Sequence, residues 1–195
     1  MANLIRGSKI VLRDIRDTDL ETMAAWRNDP EINKHFFHDE PVSVEQQRQW
    51  VNSLRNRSDE KLFIIAPIEQ PDRPVGTVGL VRMDFRNRKA EWGRFLVDPS
   101  SRGKGFAAEA LYLSLRYAFY HLNMQRLYLE VYEWNEAARK LYESFEFKLE
   151  GTYRNHIYRD GRYHNVLVYG LLESDFRANE DKIRHRLEGV SNGHD

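Results

Sequence analysis

The sequence predicts an α/β fold of the α+β kind, a mixed sheet with helices on both faces, and three observations carry that prediction. An apolar run at residues 92–97 passes through a glycine-bearing turn into a helical pattern. The apolar run at 126–132 is followed by a second helical pattern, and two long alternating runs close the chain around Asp160-Gly161. Strands that alternate with helices build layered α/β architectures, and Asp-Gly between two alternating runs is a hairpin signal. With 195 residues the chain is long enough for one full core and short for two, since domains usually take ~100–200 residues. One domain over residues 1–188 is expected, with a polar, glycine-containing flexible tail at 189–195.

From the start of the chain, Ile10, Leu12 and Ile15 alternate with Val11, Arg13 and Asp14 and read as a strand. Thr18 and Glu21 have capping-box spacing, so a helix is expected from Thr18, with Leu20, Met23, Ala24 and Trp26 buried and Pro30 beyond its end. Ser43 and Gln46 repeat the capping pattern, and Val44, Gln47, Trp50, Val51 and Leu54 follow at helical spacing to an end near Arg57. Residues 61–66 form a short apolar strand, and Pro67, Pro71 and Pro74 mark a turn into a strand at 75–83. A hairpin through Arg86-Asn87-Arg88 leads to the strand at 90–97. Residues 107–121 put Ala107, Ala110, Leu111, Ser114, Tyr117 and Ala118 on one helical face. A strand at 126–132, a helix at 135–145, hairpin strands at 147–156 and 163–171, and a helix at 173–187 complete the chain.

Thirty Lys and Arg residues balance thirty Asp and Glu, so no net field steers the chain to nucleic acid or an anionic membrane, and neither partner is expected. The absence of cysteine excludes disulfides, thiolate metal ligands and a cysteine nucleophile. No apolar run approaches ~18 residues and the N-terminus has no signal-peptide core, so a cytoplasmic protein is expected. Aromatic residues make up 12% of the chain and are expected in the core or in pocket walls.

The stretch Asp98-Pro99-Ser100-Ser101-Arg102-Gly103-Lys104-Gly105-Phe106-Ala107 joins the 92–97 strand to the next helix. Glycines there leave room for a ligand, and a helix start offers unpaired N–H groups at the positive end of its dipole. That combination binds phosphate, and Arg102 and Lys104 add side-chain charge. A glycine pair before a helix also serves packing alone. The spacing excludes a nucleoside-triphosphate P-loop, because Lys104 is followed by Gly105, and it lacks the three glycines of a dinucleotide loop.

The stretch resembles the pyrophosphate loop of the GNAT superfamily of N-acetyltransferases, whose pattern is Arg or Gln, two residues, Gly, one residue, then Gly or Ala. Arg102, Gly105 and Ala107 match it. Thirty residues on, Asn135-Glu136-Ala137-Ala138-Arg139-Lys140-Leu141-Tyr142 is similar to the family's Asn-x-x-Ala-x-x-Leu-Tyr helix. The opening third and the final hairpin resemble the RimJ/RimL branch, so the resemblance runs from Ser8 to Leu172. It implies a mixed, largely antiparallel central sheet of about seven strands flanked by helices, with two strands splayed at an acetyl-CoA site. By the same resemblance, backbone groups of Phe95, Leu96 and Val97 hold the pantetheine arm, and Arg102, Gly103, Lys104, Gly105, Phe106 and Ala107 hold the pyrophosphate. Asn135 bonds the arm from the other side, and Tyr142 lies near the sulfur.

Acetyl transfer to an amine needs a neutral amine, a stabilised oxyanion and a proton for the departing thiolate. Tyr142 is the candidate acid. Glu91, at the head of the strand leading into the loop, is the first candidate base, with Glu130 and Glu133 as alternatives. Trp26 and Arg27, then His35 and Phe36, are candidates for one wall of an acceptor pocket, and Tyr153, His156, Tyr158, Tyr163 and His164 for another. His35 and His38 have no carboxylate spacing that completes a metal site, so no metal is expected. The charges here are mixed, unlike an acidic funnel for a polyamine.

The expectation is an acetyl-CoA-dependent N-acetyltransferase acting on a small-molecule amine such as an amino sugar nucleotide, amino acid or polyamine. A protein N-terminal acetyltransferase and a non-catalytic acyl-CoA-binding module are the competitors. Exposed β edges at the final hairpin are compatible with a homodimer. One departure favours the binding module: the family's Gly-Phe after the Tyr142 helix is Glu146-Phe147 here, and a left-handed cap disfavours glutamate, which predicts a different helix end.

Overall fold

A computed structural model describes residues 4–37 and 40–189; His38 and residues 190–195 of the expected tail lie outside the described residues. The strands are β1 (Leu4–Arg6), β2 (Ile10–Arg13), β3 (Lys61–Pro67), β4 (Gly76–Asp84), β5 (Lys89–Val97), β6 (Arg126–Tyr132), β7 (Lys148–Arg159) and β8 (Arg162–Leu172). They form one eight-stranded sheet in the order β1-β2-β3-β4-β5-β6-β8-β7. The strand beyond the expected seven is β1, whose three residues are too few to show a period. Parallel pairing joins β5 to β6 through Lys89–Glu91 and Arg126–Tyr128, whereas β2–β3, β3–β4, β6–β8 and β7–β8 are antiparallel. The sheet is therefore mixed and mostly antiparallel, as expected.

The chain divides into two compact units, residues 1–82 with 94–114, and residues 83–93 with 115–195. The first is built on a core that includes Val11, Leu20, Met23, Trp26, Val51 and Ile64. Alternation in β2 is lost because Ile10 to Arg13 are all buried. The buried Arg13 guanidinium makes paired bonds of 2.7 and 2.8 Å to both oxygens of Asp19. Asp19 also accepts from the Arg16 amide at 2.8 Å. These bonds account for a correction: the Thr18/Glu21 capping box does not form. Residues 17–19 make a tight 3₁₀ turn, and α1 (Leu20–Asn28) starts after it. Removing either partner of a buried ion pair typically costs about 3–5 kcal/mol, because the other charge is stranded.

Pro30, expected only as a boundary, occupies the first position of a one-turn α2 (Pro30–Asn33), where its missing N–H is harmless; Asp29 caps it by accepting from the Glu31 amide at 2.8 Å. The predicted box on α3 (Val44–Arg55) is formed, with the Gln46 amide donating to Ser43 Oγ at 3.1 Å and the Ser43 amide to Gln46 Oε1 at 2.8 Å. The helix after the glycine turn, α4 (Phe106–Arg116), begins one residue before the expected position and widens into a π-turn at Tyr117–His121.

The second unit contains α5 (Glu136–Ser144) and α6 (Glu173–Gly189) and buries Trp92, Tyr132, Tyr169 and Phe176. Its hairpin turns at Asp160 and Gly161, both at positive φ (51° and 78°), as a type I′ turn requires. The β7–β8 register shifts between Tyr153 and Ile157, a bulge with Asn155 at φ 51°. The end of α5 is a second correction. Glu146 adopts the left-handed cap conformation, φ 68°, in spite of its side chain, and the Phe147 amide still reaches Tyr142 O at 3.2 Å. The Tyr142 helix thus ends as it would with glycine.

Candidate active site

β5 delivers the chain into the glycine turn. Asp98 accepts from the Ser100 amide at 2.8 Å, Ser100 Oγ at 2.6 Å and the Trp26 indole at 2.7 Å. Burial opposes its charge, but the bonds from Ser100 and Trp26 outweigh it and hold the carboxyl below the usual range. One carboxylate thereby ties α1 to the entrance of the turn. Gly103 and Gly105 follow in the left-handed region, and the Glu109 amide bonds Gly105 O at 3.1 Å as α4 begins. Amides preceding that first helical bond have no partner within the helix and are available to an anion. Arg102 and Lys104 are exposed beside them.

A third cation is present that the sequence did not reveal. A Cβ on Gly105 would meet Lys9 Nζ at 3.0 Å, so the Lys9 ammonium lies against the turn. Buried Glu109, in the first turn of α4, fixes the Lys9 segment: its carboxylate accepts from the Ser8 amide, Ser8 Oγ at 2.7 Å, the Lys9 amide at 2.9 Å and the Ile10 amide at 3.0 Å. A cradle of backbone amides with three cations around it fits a pyrophosphate.

Below the turn, within the same unit, lies a cavity of about 250 Å³. Met23, Trp26, Phe36, Trp50, Leu62 and Leu96 give it apolar walls, and Arg27, Gln47, Thr77 and Arg94 add polar groups. Trp26, Arg27 and Phe36, read from the sequence as one pocket wall, line it together, and Leu96, expected at the pantetheine arm, lines it as well. Arg94, Trp50 and Thr77 were not foreseen, because no local pattern marks a strand residue that faces a cavity. His35 is half-buried in the turn after α2 and is not part of the cavity wall. Phe95 is half-buried and Val97 buried on β5.

In the second unit Asn135 caps α5, its Oδ1 accepting from the Ala138 amide at 3.3 Å. Tyr142, in the last turn of that helix, is buried edge-on against Trp92, with ring centroids 5.5 Å apart, and burial pushes its phenol above the ordinary range. Glu91 is half-buried on β5 opposite Tyr128 of β6. Of the alternative bases, Glu133 accepts from Asn165 Nδ2 at 3.0 Å. Tyr158 stands near the tip of the β7–β8 hairpin, 65% exposed, against Tyr163 at 5.1 Å.

Residues 9–148 match the acetyltransferase (GNAT) domain family, well over half of the chain. The chain belongs to the GNAT superfamily. Among curated relatives, the spermidine N(1)-acetyltransferase of Vibrio cholerae is 27% identical over 170 residues, 87% of this chain and 96% of its own length. An uncharacterized N-acetyltransferase of Bacillus subtilis, YoaA, is 27% identical over 89% of this chain and 98% of that protein. Among solved structures, the V. cholerae spermidine N-acetyltransferase in complex with CoA and spermine superposes with a TM-score of 0.81 at 28% identity, covering 88% of this chain and 99% of that one. The same enzyme in a dodecameric structure gives a TM-score of 0.74 at 26% identity, over 87% and 97% of the two chains.

The chain is an N-acetyltransferase, and acetyl-CoA is its co-substrate. When bound, acetyl-CoA supplies an acyl group activated as a thioester. Among the described residues no group of three His, Asp or Glu side chains is placed to hold a metal ion, and no helix is long and apolar enough to cross a membrane.

Proposed function

We propose that the chain moves the acetyl group of acetyl-CoA to a primary amine of a small metabolite by direct attack. The observation that carries this reading is the path of β5. Leu96 lines the cavity, and two residues later Asp98 opens the phosphate-binding turn. A single strand therefore links the acceptor cavity to the cofactor cradle. A cavity of about 250 Å³ suits a metabolite better than a peptide, which needs an open groove; this weighs against a protein N-terminal acetyltransferase.

In this reading Arg102 to Ala107, with Lys9, hold the pyrophosphate, and backbone groups of Phe95, Leu96 and Val97 and the side chain of Asn135 hold the pantetheine arm. The amine nitrogen attacks the thioester carbonyl and the C–S bond breaks. The amine proton leaves through water toward Glu91, and the thiolate takes a proton from Tyr142. Without cysteine in the chain there is no thiol relay. Trp26, Arg27 and Phe36 shape the acceptor cavity, with His35 and Tyr158 as outer contacts. Residues 1–188 act as one catalytic domain, supported by a family match that runs through both compact units. The opening third and the final hairpin support a RimJ/RimL-like enzyme, and the absence of cysteine fits a reducing cytoplasm. The open edge of β7 supports self-association, and the relative described as dodecameric adds to that support.

The test is release of free thiol from acetyl-CoA by the purified chain, with amino sugars, amino acids, polyamines and N-terminal peptides offered in turn. Stimulation by a small amine is expected. Stimulation by peptides alone would move the reading to protein N-termini, and CoA binding without release under any amine would favour the non-catalytic module.

A further inference from the structure

The acceptor cavity holds two guanidinium groups, and none of the described residues that line it is acidic. Arg27 reaches it from α1. Its Nε is buried with no hydrogen-bond partner among the described residues, and its guanidinium lies 5.0 Å from the centre of the Phe36 ring. Arg94 reaches it from β5, 5.4 Å from the centre of the Trp50 ring, with its Nε donating to Glu60 at 3.1 Å. A ring against a guanidinium uses the face of the ion and leaves the in-plane N–H groups for an acceptor.

Three features make this arrangement unfavourable by itself. Burial, with the Arg94 charge added, holds Arg27 below the ordinary arginine range, although an arginine remains protonated. A buried donor without an acceptor is destabilising. Arg94 also sits at φ 54°, the left-handed region, in the middle of a strand, where a residue other than glycine is strained. Strain and like charge kept together at one cavity wall are features of a site for the opposite charge.

We propose that Arg27 and Arg94 bind a carboxylate or phosphate carried by the acceptor, so that the substrate is an amine with an anionic group and not a polycation. This rests on the cavity being the acceptor site. The N–H groups of Arg27 and Arg94 take the anionic oxygens, and the apolar walls of Trp26, Phe36 and Leu96 hold the intervening carbons. A polyamine meets the Arg27 charge in the same space, beside Arg94, whose charge is shared with Glu60, and is repelled. This separates the chain from the relatives named for spermidine, with which it shares the fold.

The experiment uses the full chain and matched amines that differ by the anion: 4-aminobutyrate against butylamine, glucosamine 6-phosphate against glucosamine, and spermidine as the polycation. Thiol release gives kcat/KM, and calorimetry gives binding of each amine. The anionic member of at least one pair should be preferred about tenfold or more, the range of a charge-assisted bond. The pair that responds identifies carboxylate or phosphate. Arg27→Gln should reduce that ratio toward one, while Arg27→Lys keeps part of it. Arg27→Gln should also raise the Tm of the free protein, an effect that loss of a merely structural arginine does not produce. Preference for spermidine or the uncharged amines, or a ratio that Arg27→Gln leaves unchanged, overturns the proposal while the transferase reading stands. If no amine releases thiol, the transferase reading fails, and calorimetry still decides this one: anions that bind the wild type and not Arg27→Gln support it, and anions that bind neither refute it.

Discussion

Tyr142 packs on the edge of Trp92, and burial alone raises its phenol above the usual range. The sign of that shift keeps the proton on the folded protein. An exposed tyrosine in the unfolded chain ionises near ~10. The stability associated with a neutral Tyr142 is therefore complete below pH ~10 and is lost as pH rises through the raised folded value. The proton-donating form persists over the whole working range, so kcat should climb as the amine loses its proton and then hold level, with no falling limb before pH ~10. A descending limb near neutrality would exclude Tyr142 as the acid. Tyr142→Phe should lower kcat by about a hundredfold or more with CoA affinity little changed, whereas equal losses in both would reduce the residue to packing. The opposite pattern belongs to Gly105, which is left-handed and crowded by Lys9: Gly105→Val should weaken CoA binding at least about tenfold by calorimetry, the scale of one lost charge-assisted bond. Glu146 holds a conformation that disfavours any side chain, and its ion pair with Lys182, at 3.6 Å, is largely exposed. Glu146→Gly should accordingly stabilise the chain by about 1 kcal/mol in denaturant unfolding; a loss of stability would mean that the ion pair outweighs the backbone.

At the scale of elements, Glu109 is the joint between β2 and α4. Three backbone amides and a hydroxyl end on its carboxylate, and the segment they fix carries Lys9 to the glycine turn. Glu109→Ala strands those donors, so unfolding should show a loss of about 3 kcal/mol. CoA affinity should fall in the same variant, because Lys9 is released with the strand. A variant as stable as the wild type would show that water replaces the carboxylate. This joint also marks the limit of what the sequence discloses. The box on α3, the bounds of β6 and the Asp160-Gly161 turn were legible because each depends on residues within a few positions of one another. The Thr18/Glu21 box was misread because Asp19 answers to Arg13, whose burial depends on strands more than fifty residues away. The phosphate turn was legible from its own glycines, but Lys9 stands about a hundred residues from the Glu109 that positions its backbone. The cavity draws on α1, α3 and three strands, so only its α1 and Phe36 wall had a sequence signal.

At the scale of the whole molecule, β7 is the last strand of the sheet, and its outer edge has no neighbour among the described residues. Twelve residues long, it is exposed over most of its length, with Leu149 at 54% and Tyr153 at 45%. An open edge of that length offers a row of backbone donors and acceptors to another strand, and natural edges are usually shortened, charged or bulged to prevent such pairing. β7 has a bulge at residues 154–156, which protects its second half, and a register shift between Leu149 and Gly151, but residues 151–153 pair in step with β8 and the first half carries the two exposed apolar side chains Leu149 and Tyr153. Pairing of this half with the same half of a second copy, antiparallel across a two-fold axis, satisfies both edges with one self-complementary contact. Light scattering on the eluted protein should therefore give at least twice the chain mass at micromolar concentration. Leu149→Lys and Tyr153→Lys together place like charges across that axis and should return the monomer with its circular dichroism intact. A wild type that elutes as a monomer, or a double variant that keeps its higher mass, would move the contact away from β7.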